Sequence, residues 1–305
     1  MTGARPGLTI GITTRNRTES LRRCVASLTH VAHLSPEVLV FDDASEVPVI
    51  RALEPHPRLR VIRDERGPGN IVGRNRLMRE ASADAVLLLD DDAALLDGSG
   101  IERGLQILAQ DSTVAAIAFA QANADGQPWP ESMQPGRGQC ARYVAAFIGF
   151  AHLLRRDVFL RLGGYRERFV FYGEEKDYCL RLLDNDRSVV YLPDALVVHA
   201  QDAAGRTPQR YLRYVTRNDC LNALYNEPLH RVVWLLPARL GLYFRMRSRW
   251  QVNDPAGVRW VLKEVAANAG AAWRDRKPVS RRTQERWRQL RDTTAPYHAG
   301  ARPCP

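Results

Sequence analysis

Three consecutive aspartates, Asp90-Asp91-Asp92, follow five apolar residues, Ala85-Val86-Leu87-Leu88-Leu89. Carboxylates crowded at the end of a buried strand repel one another, and a hard divalent cation that takes carboxylate and phosphate oxygens together relieves the repulsion. Mg²⁺ or Mn²⁺ held there would neutralise a departing diphosphate; a solvated turn with Asp92 capping a helix is the plainer alternative. A second acidic pair, Asp42-Asp43, ends the apolar run Val38-Leu39-Val40-Phe41 and is followed by Ala44-Ser45. A carboxylate at such a strand end can accept from a base N–H or a ribose hydroxyl, or it can satisfy the amides of a turn. Arg74, in Gly73-Arg74-Asn75-Arg76, is placed to meet a nucleotide phosphate or base. Arg76 and Arg79 read as an exposed basic helix face.

Gly173-Glu174-Glu175-Lys176-Asp177 offers carboxylates for a different task. A weakly acidic hydroxyl needs a carboxylate to take its proton as the oxygen attacks, although acidic residues in a first helical turn are also favoured by the helix dipole. His199 closes the run Leu196-Val197-Val198. An imidazole there suits a third metal position beside Asp90 and Asp92, more so for Mn²⁺ than for Mg²⁺; a structural histidine is the alternative.

The elements that must position these groups alternate in type. Leu8–Thr13 reads as a buried strand, and Asn16 or Thr18 as the cap of a helix whose apolar positions are Leu21, Val25 and Leu28. Strands follow at 38–41, 60–62 and 85–89. The turn Gly67-Pro68-Gly69 opens a helix from Asn70 to about Ala81. Short, wholly apolar strands between helices predict a largely parallel sheet covered on both faces, with ligands gathering at the carboxyl ends of the strands. Two of these strands end there in adjacent carboxylates. Further on, 99–110 is helical, 114–120 a strand, and 125–139 a long loop rich in Gly and Pro of the kind that often carries function. A short helix at 157–162, a helix at 174–183, one or two strands within 189–198, and helices beyond Gln209 complete the reading.

In this order the motifs resemble those of the family 2 glycosyltransferases, which have the GT-A fold. They are Thr13-Thr14-Arg15-Asn16-Arg17, Phe41-Asp42-Asp43-Ala44-Ser45, Gly73-Arg74-Asn75, Leu89-Asp90-Asp91-Asp92, Leu162-Gly163-Gly164-Tyr165, Gly173-Glu174-Glu175-Lys176-Asp177-Tyr178 and His199. The likeness runs from about residue 8 to 226. It implies an α/β fold with a Rossmann-like, mostly parallel sheet flanked by helices, a catalytic domain over 1–226 and a helical basic extension over 227–305. Within the catalytic domain, about 1–98 would bind nucleotide and about 99–226 the acceptor. The implied activity is inverting transfer of a hexosyl or deoxyhexosyl group from a nucleoside diphosphate-sugar to an acceptor hydroxyl, with a divalent metal. Thr13, Arg15 and Asp43 would line the nucleoside pocket with Asp42 close by, and Arg74 would help hold the nucleotide. Asp90 and Asp92 take the Asp-x-Asp metal and ribose positions around Asp91, and His199 completes the metal shell. Glu175 stands where the family base is commonly an Asp of a Glu-Asp pair; Glu174 and Asp177 are reserve candidates. Thr14 stands where an aromatic residue often sits. Segment 125–139 or 201–209 would close over the donor.

Composition narrows the alternatives. The 305 residues carry a net charge of +10, and Lys and Arg outnumber Asp and Glu from Arg206 onward. The apolar and aromatic stretch 232–244, followed by Arg245, Arg247, Arg249 and Trp250, suits either a helix in a membrane interface near a lipid-linked acceptor or a helix packed on the catalytic domain. No apolar run is long enough to span a bilayer. Five scattered cysteines without a Cys-x-x-Cys pair argue against a disulfide framework or structural zinc and fit a reducing cytoplasm. High Arg and Ala content points to a bacterial origin, and with it the family resemblance implies a role in bacterial glycan or glycoconjugate biosynthesis. A nucleotidyltransferase would want a Gly-rich loop after the first strand, where Thr13-Thr14-Arg15-Asn16-Arg17 stands. A dehydrogenase lacks its Gly-x-Gly-x-x-Gly, and no nucleic-acid-binding signature occurs. A catalytically inactive nucleotide-sugar binder remains an alternative, and the acceptor class (glycan, lipid-linked or small molecule) and the oligomeric state stay open.

Overall fold

The computed structural model describes residues 7–200, 207–293 and 295–297. Strand β1 (Thr9–Thr14) is buried at all six positions, as its apolar and threonine sequence requires. Helix α1 (Thr18–Ser27) follows, then β2 (Glu37–Asp42), β3 (Leu59–Arg63), α2 (Asn70–Glu80) and β4 (Ala85–Asp90). After β5 (Ala93–Leu95) come α3 (Ser99–Gln110), β6 (Val114–Ala122), β7 (Arg142–Val144), β8 (Ala151–Arg155), α4 (Arg156–Arg161), α5 (Glu174–Asp184) and β9 (Ser188–His199). Helices α6 (Pro208–Asn226), α7 (Leu229–Arg249), α8 (Gly257–Arg274) and α9 (Arg281–Asp292) precede the short β10 (Ala295–Pro296).

The sheet runs β10-β7-β9-β6-β8-β4-β1-β2-β3, with β5 pairing β9. Pairings β3-β2-β1-β4 and β6-β9 are parallel, whereas β8 runs antiparallel between β4 and β6. Alternate residues of one strand enter opposite faces of the sheet. Thus Leu87 and Leu89 join Ile10 and Ile12 in one core, while Val86 and Leu88 join Leu39 and Phe41 in the other. Gly73 lets α2 lie close to the sheet, because a Cβ there would stand 2.5 Å from the Phe41 ring. Parallel register then brings strand ends together: Thr13 pairs with Asp90 and Thr14 with Asp42.

Several expectations are corrected. The α1 cap position is Arg17, without a side-chain cap; Asn16 (φ 54°) is instead tied to the β2 exit, its Oδ1 accepting from the Glu46 amide at 2.7 Å. Asp92 caps no helix, since β5 follows it. Of the one or two strands expected within 189–198 a single one forms, and β7 and β8 fill a region without a clear hydrophobic period. Contrary to the reading of its cysteines, Cys140 is disulfide-bonded, which removes that argument for a reducing compartment. Among the described residues no helix is long and apolar enough to cross a membrane. The helical extension is present: α6 packs against α7 and α8, and α9 returns to α5 and β7.

Candidate active site

The carboxyl end of β4 and the C-terminal residue of β9 meet through β5, which pairs Ala93 with His199. Donor atoms of Asp90, Asp92 and His199 consequently lie within 4.8 Å of one another. Nε2 of His199 is 3.7 Å from Oδ1 of Asp92, longer than a hydrogen bond and compatible with two ligands sharing one ion. The imidazole is stacked between Phe150 (centroids 4.7 Å apart) and Trp129 (5.6 Å). Its Nδ1 lies 2.6 Å from Oε1 of Gln121, and Nε2 of Gln121 donates to the Met133 carbonyl at 2.5 Å. With the amide oriented in this way its oxygen can only accept, so Nδ1 carries a proton and Nε2 is the nitrogen that could offer a lone pair to an ion beside Asp92. Two carboxylates and an imidazole oriented through its Nδ1 form a mixed oxygen–nitrogen donor set that could hold Mn²⁺ or Mg²⁺.

Asp91 points elsewhere. It accepts from Thr14 Oγ1 at 2.7 Å and from Arg17 at 2.9 Å, and Arg17 also reaches Asp92 at 3.2 Å. Burial pushes its carboxyl up to about 6, against the pull of Thr14 and Arg17.

Arg74 is buried and joins the two acidic clusters. Its guanidinium donates to Asp90 Oδ1 at 2.6 Å, to Glu174 Oε1 at 3.0 Å and to the Gly149 carbonyl at 2.7 Å. Glu174 and Glu175 open α5, and both line a cavity of about 490 Å³ together with Arg74, Asp90 and His199. Burial raises both carboxyls, and the charge of Glu175 raises Glu174 further, to about 8, with Arg74 opposing. Burial is the largest cause for both, and the two adjacent carboxyls titrate as a pair rather than singly. Gly149 makes room for that carboxylate: a Cβ there would stand 2.2 Å from Glu175 Oε1.

Other expected site residues lie outside the lining of this cavity. Asp42 spends its oxygens on the amides of Ser45 (2.9 Å) and Val49 (3.2 Å) and on Arg63 (2.6 Å). Burial works against its charge, but these donors outweigh it and hold the carboxyl below its usual range. Asp43 accepts from the Gly69 amide at 2.9 Å and faces the largely exposed Arg15 at 3.9 Å, while Thr13 is buried where α2 approaches. Asp177 is buried among Arg166, Arg181 and Asn226. Gln121, Trp129, Gly149 and Phe150 were not singled out from sequence; only the long loop 125–139, which holds Trp129 and Met133, flagged part of this wall. Of the second expected lid, residues 201–206 lie outside the described residues, whereas Thr207 and Pro208 line the cavity.

The profile described as Glycosyl transferase family 2 matches residues 9–166, just over half of the chain. The chain belongs to glycosyl transferase family 2. Its Glu174, Glu175 and His199 lie beyond the matched span. The uncharacterized glycosyltransferase YwdF of Bacillus subtilis is 27% identical over 206 residues, covering 65% of this chain and 75% of that protein. The pre-mycofactocin glycosyltransferase of Mycobacterium tuberculosis is 28% identical over 215 residues, 63% of this chain but 42% of its relative. Among solved structures, S. aureus TarS 1-349 in complex with UDP-GlcNAc aligns with a TM-score of 0.60 at 15% identity, covering 93% of this chain and 92% of that one. Mannosyltransferase PcManGT from Pyrobaculum calidifontis, in complex with GDP-Man and Mn²⁺, gives 0.56 at 17% identity, covering 88% and 76%. At such identities the likeness shows the fold, and it is the GT-A fold expected from the motifs.

Proposed function

We propose that this glycosyltransferase moves a hexosyl or deoxyhexosyl group from a nucleoside diphosphate-sugar to an acceptor hydroxyl by one in-line displacement that inverts the anomeric carbon. The observation that carries the reading is that one cavity contains Asp90 and His199 of the donor set and also the Glu174–Glu175 pair. The ligands of TarS and PcManGT support the donor class.

Asp90, Asp92 and His199 would hold a divalent cation, which when bound supplies positive charge to the diphosphate. Glu175 takes the proton of the attacking hydroxyl. Its raised basicity suits that task, because a stronger base lowers the barrier to removing the proton. Glu174, held by Arg74, is assigned the proton that the raised pair retains, so that Glu175 can act as the base. Asp90, bonded to the same guanidinium, keeps the donor set in register with the base. Thr13, Arg15 and Asp43 at the exits of β1 and β2 are assigned to the nucleoside. No covalent glycosyl-enzyme step is invoked, since Glu175 serves as base.

A thermal-shift panel of UDP, dTDP, GDP and CDP with and without Mn²⁺ tests the donor site. One diphosphate should stabilise the protein in a metal-dependent way, by about 2.7 kcal/mol at a hundredfold excess over Kd. Metal dependence should vanish in Asp90→Ala/Asp92→Ala. No shift with any nucleotide in folded protein would overturn the reading.

The setting is assigned to bacterial glycoconjugate synthesis at the cytoplasmic membrane face. Val233, Trp234 and Phe244 on α7 are 65%, 78% and 53% exposed, and the exposed Arg245 and Arg249 follow in its last turns. Apolar side chains next to arginines support contact with an anionic bilayer. Flotation independent of anionic lipid would remove that contact.

A further inference from the structure

The cavity has a second wall that the transfer chemistry does not use. Phe171 and Tyr172, just before α5, line it together with Tyr211 of α6 and Trp250 at the end of α7. The rings form a connected series: Phe171 to Tyr172 at 3.8 Å, Tyr172 to Tyr211 at 5.0 Å and Tyr211 to Trp250 at 5.7 Å between centroids. Trp250 remains 45% exposed, an arrangement that core packing alone does not require of so large a side chain.

The wall is held in a strained backbone. Val170 and Tyr172 have φ of 63° and 65°, which non-glycine residues seldom adopt, and Gly173 follows at 87°. Asn218, buried on α6, stabilises this stretch. Its Nδ2 donates toward the carbonyls of Phe169 (2.9 Å), Phe171 (2.7 Å) and Tyr172 (2.7 Å), and its Oδ1 accepts from Arg217 at 2.6 Å. The same stretch sets the aromatic rings and the first turn of α5, so the ring wall and Glu175 are positioned together. All four rings lie beyond the residues matched by the family profile.

We infer that Tyr172, Tyr211 and Trp250 form the acceptor subsite and take the flat C–H face of a pyranose ring, making the acceptor a saccharide. A pyranose turns its ring C–H groups to one side and its hydroxyls to the rim. Stacking on aromatic rings buries the former without stripping water from the latter, leaving a rim hydroxyl for Glu175. This inference rests on the transfer reading for the role of the subsite, though not for its ability to bind a sugar ring.

Saturation-transfer NMR on the whole chain with a bound nucleoside diphosphate and Mg²⁺ tests it. The probes are the methyl pyranosides of glucose, mannose, galactose and N-acetylglucosamine, with glycerol and phenol as comparators. At least one pyranoside should receive saturation at its ring protons. That signal should fall about three- to tenfold in Trp250→Ala and in Tyr211→Ala, as loss of an aromatic contact implies, and largely persist in Trp250→Phe. Nucleotide binding by thermal shift should stay unchanged, which also shows that the variants fold. The inference is overturned by pyranoside signals that survive Trp250→Ala, by glycerol or phenol signals as strong as the sugars', or by nucleotide binding without pyranoside binding. It is equally overturned if Trp250→Ala weakens a nucleoside diphosphate-sugar by the same factor, since the wall would then serve the donor. Failure of every nucleotide to bind would strike the donor reading alone, and the pyranoside arm, run without nucleotide, would still decide the subsite.

Discussion

Nδ1 of His199 donates to Oε1 of Gln121 at 2.6 Å, and that bond fixes which imidazole nitrogen faces Asp92. A ligand held by a partner of this kind typically loses ten- to a hundredfold in metal affinity, or about 1.4–2.7 kcal/mol, when the partner is removed. Gln121→Leu should therefore weaken Mn²⁺ binding by that factor in titration calorimetry, and Gln121→Glu, which still accepts from Nδ1, should retain most of it. An unchanged Kd in Gln121→Leu would show that stacking by Phe150 and Trp129 orients the ring unaided.

Arg74 bonds Glu174, which like the arginine is almost wholly out of water, and Asp90, which is partly exposed. Removing the cation strands a buried carboxyl group, and breaking such a pair costs about 3–5 kcal/mol. Arg74→Met should lower the urea midpoint accordingly. A loss below about 1 kcal/mol would mean that the cluster relaxes by taking up protons instead.

Gly149→Ala would bring a methyl group to 2.2 Å from Glu175 Oε1 and 3.1 Å from an Arg74 nitrogen. The carboxylate must move, and a displacement of about 1 Å at a reacting group can cost on the order of a hundredfold in rate. The expected outcome is a kcat reduced to that extent with donor KM nearly constant. Full activity would remove Glu175 from the reaction.

Glu175→Gln should reduce kcat by about 10²–10⁴, the usual contribution of a general base, while leaving nucleotide binding intact. In the wild type, activity should rise with pH as Glu175 ionises. Equal losses in Glu174→Gln and Glu175→Gln would mean that the pair acts as one unit.

Burial first, and then the charge of Glu175, push the Glu174 carboxyl up from its ordinary 4.5 to about 8. The native state holds the proton longer than the unfolded chain does, so the contribution of this carboxyl is fully present below about pH 4.5 and is lost as pH rises through about 8. Urea unfolding of the metal-free protein should show stability falling across that window, with a shallower fall in Glu174→Gln. Identical slopes would assign the proton elsewhere.

The sequence by itself determined the strands and the acidic strand ends, because both are local. Six or so apolar residues in a row must be buried, and the carboxylates that follow must emerge at an edge, so β1, β2, β4 and the Asp90–Asp92 cluster were legible. So was α3, whose bounds match its periodicity. Chain topology decided the rest. The three-residue β7 and the antiparallel β8 take their conformation from neighbours far away in sequence. The partners of His199 come from positions 121, 129 and 150, and nothing in the local sequence links them. Tertiary contacts also divided residues of one type between tasks. Asp42 and Asp177 have their oxygens taken by amides, an asparagine and arginines, whereas Asp90 and Glu175 reach the cavity. A carboxylate's chemistry depends on which donors the fold leaves within about 3 Å of it, and that distance is set by packing rather than by residue type.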